Sequence, residues 1–215
     1  MSLVDPVGGN FRLLGITYDT TLSMSDTIED TVREAAWKLK TLRRSRRFYT
    51  DAELIVLYKA HVLGYLEFRT PAVYHAKREE LSKLNAVQTK FLREAGVNEI
   101  TALRQFNLAP RSLRRDIAML GVLHRAALGR GPPQLKELFR RSGGGFMLID
   151  PHGRTTMSSL MRQSLWGLVP VYNRLGTRLQ SSTSVKAFQS LLQQRAKRLA
   201  ENGVEDWMRA YSSRP

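Results

Sequence analysis

Apolar residues recur at intervals of three and four along most of this 215-residue chain. That period commits it to helices that bury one side against each other. Ile28, Val32, Ala35, Leu39 and Leu42 predict an amphipathic helix from about 26 to 46, capped by Ser25 or Asp26. Thr50-Asp-Ala-Glu53 has the capping-box pattern and opens a second helix. Its inner side is expected to carry Leu54, Leu57, Tyr58, His61, Val62 and Tyr65, with Pro71 kinking or ending it. Leu81, Leu84, Val87, Phe91 and Leu92 mark a third helix that Gly96 stops.

Farther on, Asn98 to Phe106 reads as a short helix. Pro110 precedes a longer one, with Leu113, Ile117, Leu120 and Leu123 inward. Gln134 to Arg141 is short and amphipathic, Gly143-Gly-Gly145 reads as a linker, and residues 158–178 form a weaker helical pattern broken at Pro170. Ser182 or Thr183 is expected to cap a last helix carrying Val185, Phe188, Leu191 and Leu192. The one β signal is Phe11 to Tyr18, read as a strand that turns at Asp19-Thr-Thr21 and pairs back through Leu22 to Met24. The expected architecture is therefore mainly α. A β-hairpin occupies 1–25, a three-helix bundle 26–97, a helical extension 98–142, a linker 143–157 and a second helical module 158–215.

Charge narrows the function. The chain holds 34 Lys+Arg against 19 Asp+Glu, a formal net charge of +15. Such an excess favours a polyanionic partner. The densest basic stretch runs from Ala35 to Thr50, without an acid and with Lys38, Lys40, Arg43, Arg44, Arg46 and Arg47. Together with Arg33 these are the first candidates for phosphate binding; Arg111, Arg114 and Arg115, near a helix start, come second. A basic helix face also serves simply to stay hydrated, and the sequence leaves that reading open. Trp37, Phe48 and Tyr49 lie among the bases and suit stacking on a base or sugar, although Trp37 equally suits a core.

Several chemistries find no support. The chain has no Cys, which removes disulfides, thiolate zinc sites and cysteine nucleophiles. His61, His75, His124 and His152 lack metal-ligand spacing, and His61 reads as a core histidine. The glycine run lacks the Lys-Ser/Thr of a phosphate-binding loop. No cofactor and no metal are expected. No apolar run is long enough to span a bilayer, the N-terminus has no secretory pattern, and Asp26, Glu29, Asp30 and Glu34 disfavour the 26–46 helix lying on anionic lipid. An intracellular location, nuclear or cytoplasmic, is the expectation.

Short segments in fixed order carry a resemblance. Phe11-Arg-Leu-Leu-Gly-Ile-Thr-Tyr-Asp-Thr-Thr-Leu22 resembles the "YLG-x-x-x-D-x-x-L" segment of non-LTR retrotransposon reverse transcriptases. Ala35-Ala-Trp-Lys-Leu-Lys-Thr-Leu-Arg-Arg44 resembles that family's first thumb helix. Leu57-Tyr-Lys-Ala60 with Tyr65-Leu-Glu-Phe68 and Pro71, then Leu84-Asn-Ala-Val-Gln88, resemble the helices that follow. Leu108-Ala-Pro-Arg-Ser-Leu-Arg-Arg115 resembles the "LP-x-L-x-x-RR" segment, and Val171-Tyr-Asn-Arg-Leu175 with Ser184-Val-Lys-Ala-Phe188 resembles the closing "WN-x-LP…S-x-x-x-F" segment. Tyr172 stands where Trp is usual and Gly176 where Pro is usual.

The resemblance covers roughly residues 11 to 195. It implies the end of a polymerase palm, its thumb and the helices beyond, with an RNA–DNA template–primer duplex as partner and the missing palm as a second. Polymerases of this kind hold two metal ions on paired palm aspartates, and no Asp-Asp pair occurs in this chain. The expectation is a nucleic-acid-binding, non-catalytic piece of an RNA-directed DNA polymerase. The alternatives are a basic helical protein-interaction module or a retroelement remnant without function. Lost nucleic-acid binding on charge reversal with the fold intact would separate the first reading from these.

Overall fold

A computed structural model of the chain describes residues 9–150 and 159–214. It is mainly helical, with a short antiparallel hairpin near its start, and its contacts divide it into two compact units, the first ending at Phe106 and the second beginning at Asn107. The first unit takes in the helix that follows residue 97, which packs on the helix before it.

The first unit opens on β1 (Phe11–Leu13) and β2 (Ile16–Tyr18), paired Phe11 to Tyr18 and Leu13 to Ile16. The sequence pattern suggests one strand here with its turn at Asp19. Instead the strand folds in half at Leu14-Gly15, both residues left-handed at φ 50° and 77°. That double positive φ is what a two-residue hairpin with the right strand twist demands, and glycine supplies half of it without steric cost.

Asp19 organises the chain after the hairpin. Its carboxylate accepts hydrogen bonds from the backbone N–H groups of Thr21, Ser23 and Met24 at 3.0, 2.9 and 2.8 Å and from the hydroxyls of Thr21 and Ser23. Burial alone would raise its pKa, but these donors outweigh that and hold it well below the usual carboxylate range. The same bonds stabilise left-handed Leu22 and Met24, at φ 55° and 62°. Helix α1 (Ser25–Ser45) therefore starts from Met24 without the side-chain cap expected from Ser25 or Asp26.

Helix α1 buries Ile28, Ala35, Leu39 and Leu42, the stripe that sequence periodicity anticipates. Thr50 makes the expected capping box with Glu53, accepting from the Glu53 N–H at 3.3 Å while the Glu53 carboxylate accepts from the Thr50 N–H at 2.8 Å. Helix α2 (Asp51–Tyr58) then runs into a π-helical turn, Lys59–Leu63, before α3 (Gly64–Glu67) and α4 (Thr70–Val73). The wider turn shifts the phase of the helix. Val62 and Leu63 face inward and His61 is turned out to solvent, against the expectation of a core histidine.

Helix α5 (Arg78–Ala95) packs along α1, and Tyr58 stacks on Phe91 at 4.2 Å between ring centroids, so α2 and α5 share one core. Helix α6 (Glu99–Phe106), capped by the Asn98 side chain, completes the unit. A polar chain fixes the hairpin to this bundle. The Thr27 hydroxyl accepts from the Thr17 N–H and donates to the Thr17 carbonyl, the Thr31 hydroxyl donates to the Thr27 carbonyl, and Arg69 donates to the Thr31 hydroxyl at 2.9 Å.

In the second unit α7 (Arg111–Ala127) is the central element and α12 (Val185–Glu201) packs against it. Between them in sequence lie α8 (Pro133–Leu138), α9 (Ser159–Gln163), α10 (Val169–Asn173) and α11 (Thr177–Gln180). Ser184, one residue past the expected Ser182 or Thr183, caps α12.

The glycine run is not a free linker where it is described. Arg141 and Leu148 form a β-bridge around Gly143-Gly145, and the Asn173 side chain clamps Leu148 by accepting from its N–H at 2.8 Å and donating to its carbonyl at 2.9 Å. The rest of that expected linker, 151–157, and residues 1–8 of the expected N-terminal segment lie outside the described residues.

A buried polar pair sits at the centre of this unit. His124 is fully buried and stacks on Phe188 at 4.1 Å. Its Nε2 lies 2.8 Å from the Ser182 carbonyl, which can only accept, so Nε2 carries the proton and Nδ1 accepts from the Tyr172 hydroxyl at 2.9 Å. Burial holds the His124 pKa below the usual histidine value; the Arg141 charge adds to this and the Ser182 carbonyl opposes it. At Tyr172, where the resembled motif has Trp, the phenol thus has a specific acceptor. Close packing also fixes Gly167: a Cβ there would lie 1.8 Å from the Arg162 carbonyl oxygen.

Three residues have testable consequences for stability. Asp19→Ala should cost about 1–2 kcal/mol, the scale of a lost multi-donor cap, read as a lower urea midpoint. The Asp19 contribution, coming from a lowered carboxyl pKa, is in place above about pH 4 and is lost as pH falls below it; the variant should lack that acid-limb slope. His124 is held neutral, so its contribution is in place above about pH 6.5 and declines as pH falls, a decline His124→Gln should abolish. Gly167→Ala should destabilise by about 2–3 kcal/mol through overpacking against backbone.

Candidate nucleic-acid interface

Because α1 must bury Ala35, Leu39 and Leu42, the residues opposite that stripe are left to solvent. Arg33, Trp37, Lys40 and Arg44 follow at steps of four, three and four, which places them in one row along the helix. The row is about 16 Å long at 1.5 Å per residue, close to five nucleotide steps along a B-form duplex strand. The helix continues through a 3₁₀ turn, Arg46–Phe48, which adds Arg46 and Arg47 at its end.

The ten candidate cations separate by environment. Lys40, Arg44, Arg46 and Arg47 are exposed, and no acid of the described residues forms an ion pair with them. Arg47 lies over the Phe48 ring at 4.7 Å. Arg33 is exposed but pairs with Asp30 at 2.5 Å on the same face, a contact that solvent and salt weaken. Arg43 pairs with Glu94 of α5 at 3.1 Å. Lys38 is half-buried, its ammonium 5.5 Å from the Tyr65 ring centre.

In the second unit Arg111 and Arg115 are 2% and 6% exposed, while Arg114 is half-buried. Helix α7 is enclosed by its neighbours, so the Arg111 and Arg115 guanidinium groups do not present a phosphate-binding surface. This removes two residues from the site expected of the sequence.

The aromatic side chains within the basic stretch face outward. Trp37 is 67% exposed, Phe48 69% and Tyr49 43%. A core position for Trp37 is thereby excluded, and the sequence carries the signal for this. Trp37 is out of phase with the Ala35, Leu39 and Leu42 stripe and in phase with Arg33, Lys40 and Arg44. An exposed indole amid cations is a flat apolar surface at which a base or sugar ring loses water without entering a pocket.

Elsewhere, no group of three or more His, Asp or Glu positioned to hold a metal ion occurs among the described residues. No helix among them is long and apolar enough to cross a membrane. Comparison with known families, with characterised proteins and with solved structures finds no match.

Trp37→Phe should remove the component of tryptophan fluorescence most readily quenched by acrylamide, since Trp207 is buried and Trp166 half-buried. Trp37→Ala should leave the unfolding midpoint nearly unchanged, within about 0.5 kcal/mol, as for an exposed site.

Proposed function

We propose that this chain binds nucleic acid through its sugar-phosphate backbone along the outer side of α1, as the thumb-like part of a reverse-transcriptase-related protein. The observation that carries the reading is the set of four exposed cations, Lys40, Arg44, Arg46 and Arg47, free of ion pairs with described acids on one helix and its terminal turn. An isolated ion pair on a surface contributes little, but several unpaired cations in register with a polyanion release condensed counterions on binding. The ordered resemblance to non-LTR retrotransposon reverse transcriptases supports a template–primer duplex as the ligand and a nuclear or cytoplasmic location.

Backbone contacts position a duplex without reading its bases, so binding depends on salt and hardly on sequence. Polymerisation is a separate matter. The chain has no Asp-Asp pair, and the function proposed for it is holding the duplex rather than extending it.

Affinity for a short RNA–DNA hybrid should fall with salt at a log–log slope of about −3 to −4, four phosphates neutralised at 0.9 each. A triple charge reversal at Lys40, Arg44 and Arg47 should abolish binding while circular dichroism and the unfolding midpoint stay unchanged. A flat salt dependence, or unaltered binding by the triple variant, would overturn the proposal. Incorporation of nucleotides on a primed RNA template with Mg²⁺ by the chain alone would overturn its non-catalytic half.

A further inference from the structure

The second unit carries a cleft of about 280 Å³ far along the chain from the basic stretch of α1. Three arginines from three elements converge on it: Arg174 just after α10, Arg195 on α12, and Arg209 in the 3₁₀ turn Trp207–Arg209. Val171 and Leu199 contribute apolar surface, and among the described residues no Asp or Glu lines the cleft. None of the three arginines forms an ion pair with a described acid.

The segment that closes the cleft is fixed in place. Trp207 and Tyr211 are 4% and 2% exposed, and the Tyr211 hydroxyl donates to the Leu192 carbonyl of α12 at 2.9 Å. Burial pushes the Tyr211 phenol up to about 12, against the opposing effect of the nearby Arg195 charge, so the donor keeps its proton. Arg195 and Leu199 are one turn apart on α12 and reach the same side.

Three like charges around one concavity repel each other, and no acidic side chain of the described residues in the cleft relieves that. We propose that the cleft binds a phosphate monoester, with the phosphate held by Arg174, Arg195 and Arg209 and a sugar-sized body against Val171 and Leu199. A monoester carries about −1.5 to −2 charges at neutral pH, with its second ionisation near 6. A diester carries one, so three uncompensated guanidinium groups favour the monoester, and their planar forks match its oxygens. The volume lies just below the range of about 300–1,000 Å³ typical of pockets for drug-sized ligands. It suits a phosphate with one attached sugar. Such a group comes either from a free sugar phosphate or from the phosphorylated 5′ end of a nucleic-acid strand. The site is built from residues of the second unit alone and shares none with the α1 surface.

Isothermal titration of the full chain with ribose 5-phosphate should show saturable binding, and ribose should show none. Arg174→Gln and Arg195→Gln should each weaken ribose 5-phosphate by about tenfold or more, with unchanged circular dichroism. Arg195→Lys, which keeps the charge and loses the fork, should fall between. Binding should weaken from about pH 7.5 to about pH 5.5 as the ligand becomes a monoanion.

Two oligonucleotides, with and without a 5′-phosphate, are then compared in a Lys40→Glu/Arg44→Glu background that disables α1. Tighter binding of the phosphorylated strand, competed by ribose 5-phosphate, assigns the site to strand ends. Equal binding of the two strands, with ribose 5-phosphate still bound, assigns it to a free sugar phosphate. The proposal is overturned if ribose binds as well as its phosphate, or if millimolar ribose 5-phosphate does not bind. It is equally overturned if the arginine variants bind normally while the α1 variant loses ribose 5-phosphate.

Discussion

Helix α1 has to serve two solvents at once, and the rest of the first unit is arranged around that. Its inner stripe, Ile28, Ala35, Leu39 and Leu42, is covered by α5 and the α2–α3 segment, so Arg33, Lys40 and Arg44 on the opposite arc have nowhere to go but water. Burying even one unpaired guanidinium would cost several kcal/mol. The hydrophobic requirement therefore sorts the charges without any separate device, and it does so over 21 residues of continuous helix. The row of Arg33, Lys40 and Arg44 along a rigid rod is a regular array. The same charges on a loop would pay ordering entropy with each phosphate they met.

What the sequence discloses about this fold follows from how local the cause is. Thr50 and Glu53 sit three residues apart and satisfy each other's backbone partners, so the capping box is legible in the sequence alone. Gly96 likewise ends α5 with bonds from its own and the next N–H back to Arg93 and Leu92. The hairpin is hidden because Leu14 looks like a strand residue; only its pairing with Gly15 in a double left-handed turn makes it a corner. His61 looks like a core residue because a constant helical period carries it inward, whereas the backbone here widens to a π turn. The glycine run looks like a linker because nothing near it announces Asn173, 25 residues from Leu148, as its clamp.

The candidate interface shows the same division. The basic stretch is local and legible, as is the phase that sets Trp37 among the cations. The fate of Arg111 and Arg115 is not, since their burial depends on how fully α7 is enclosed by elements distant in sequence. The resembled "YLG-x-x-x-D-x-x-L" segment has a physical counterpart at two of its fixed letters. Gly15 supplies a left-handed corner, and Asp19 collects the donors that let the chain turn into α1. Those constraints hold whatever the ancestry of the chain, which is why the motif by itself argues for a shape more strongly than for an activity.

Arginine is used in two opposite ways in this protein, and the contrast separates scaffold from surface. In the second unit Arg141 donates to the Gln180 carbonyl at 2.8 Å, while Gln180 donates to the Tyr172 carbonyl and Tyr172 to His124. A guanidinium with carbonyl acceptors of this kind fixes a core edge and has little left to offer a ligand. At Arg44, Arg46 and Arg47, and at Arg174, Arg195 and Arg209, arginines stand without described acids to pair them, although residues 98–215 still contain seven acids among their 26 charges. Three cations around a shared concavity raise each other's electrostatic energy. Folding tolerates this because water and counterions screen them, and a ligand that replaces those counterions with a single dianion gains both the charge attraction and the released ions. The unpaired arginines are therefore the positions at which fold stability has least claim on the side chain and binding has most.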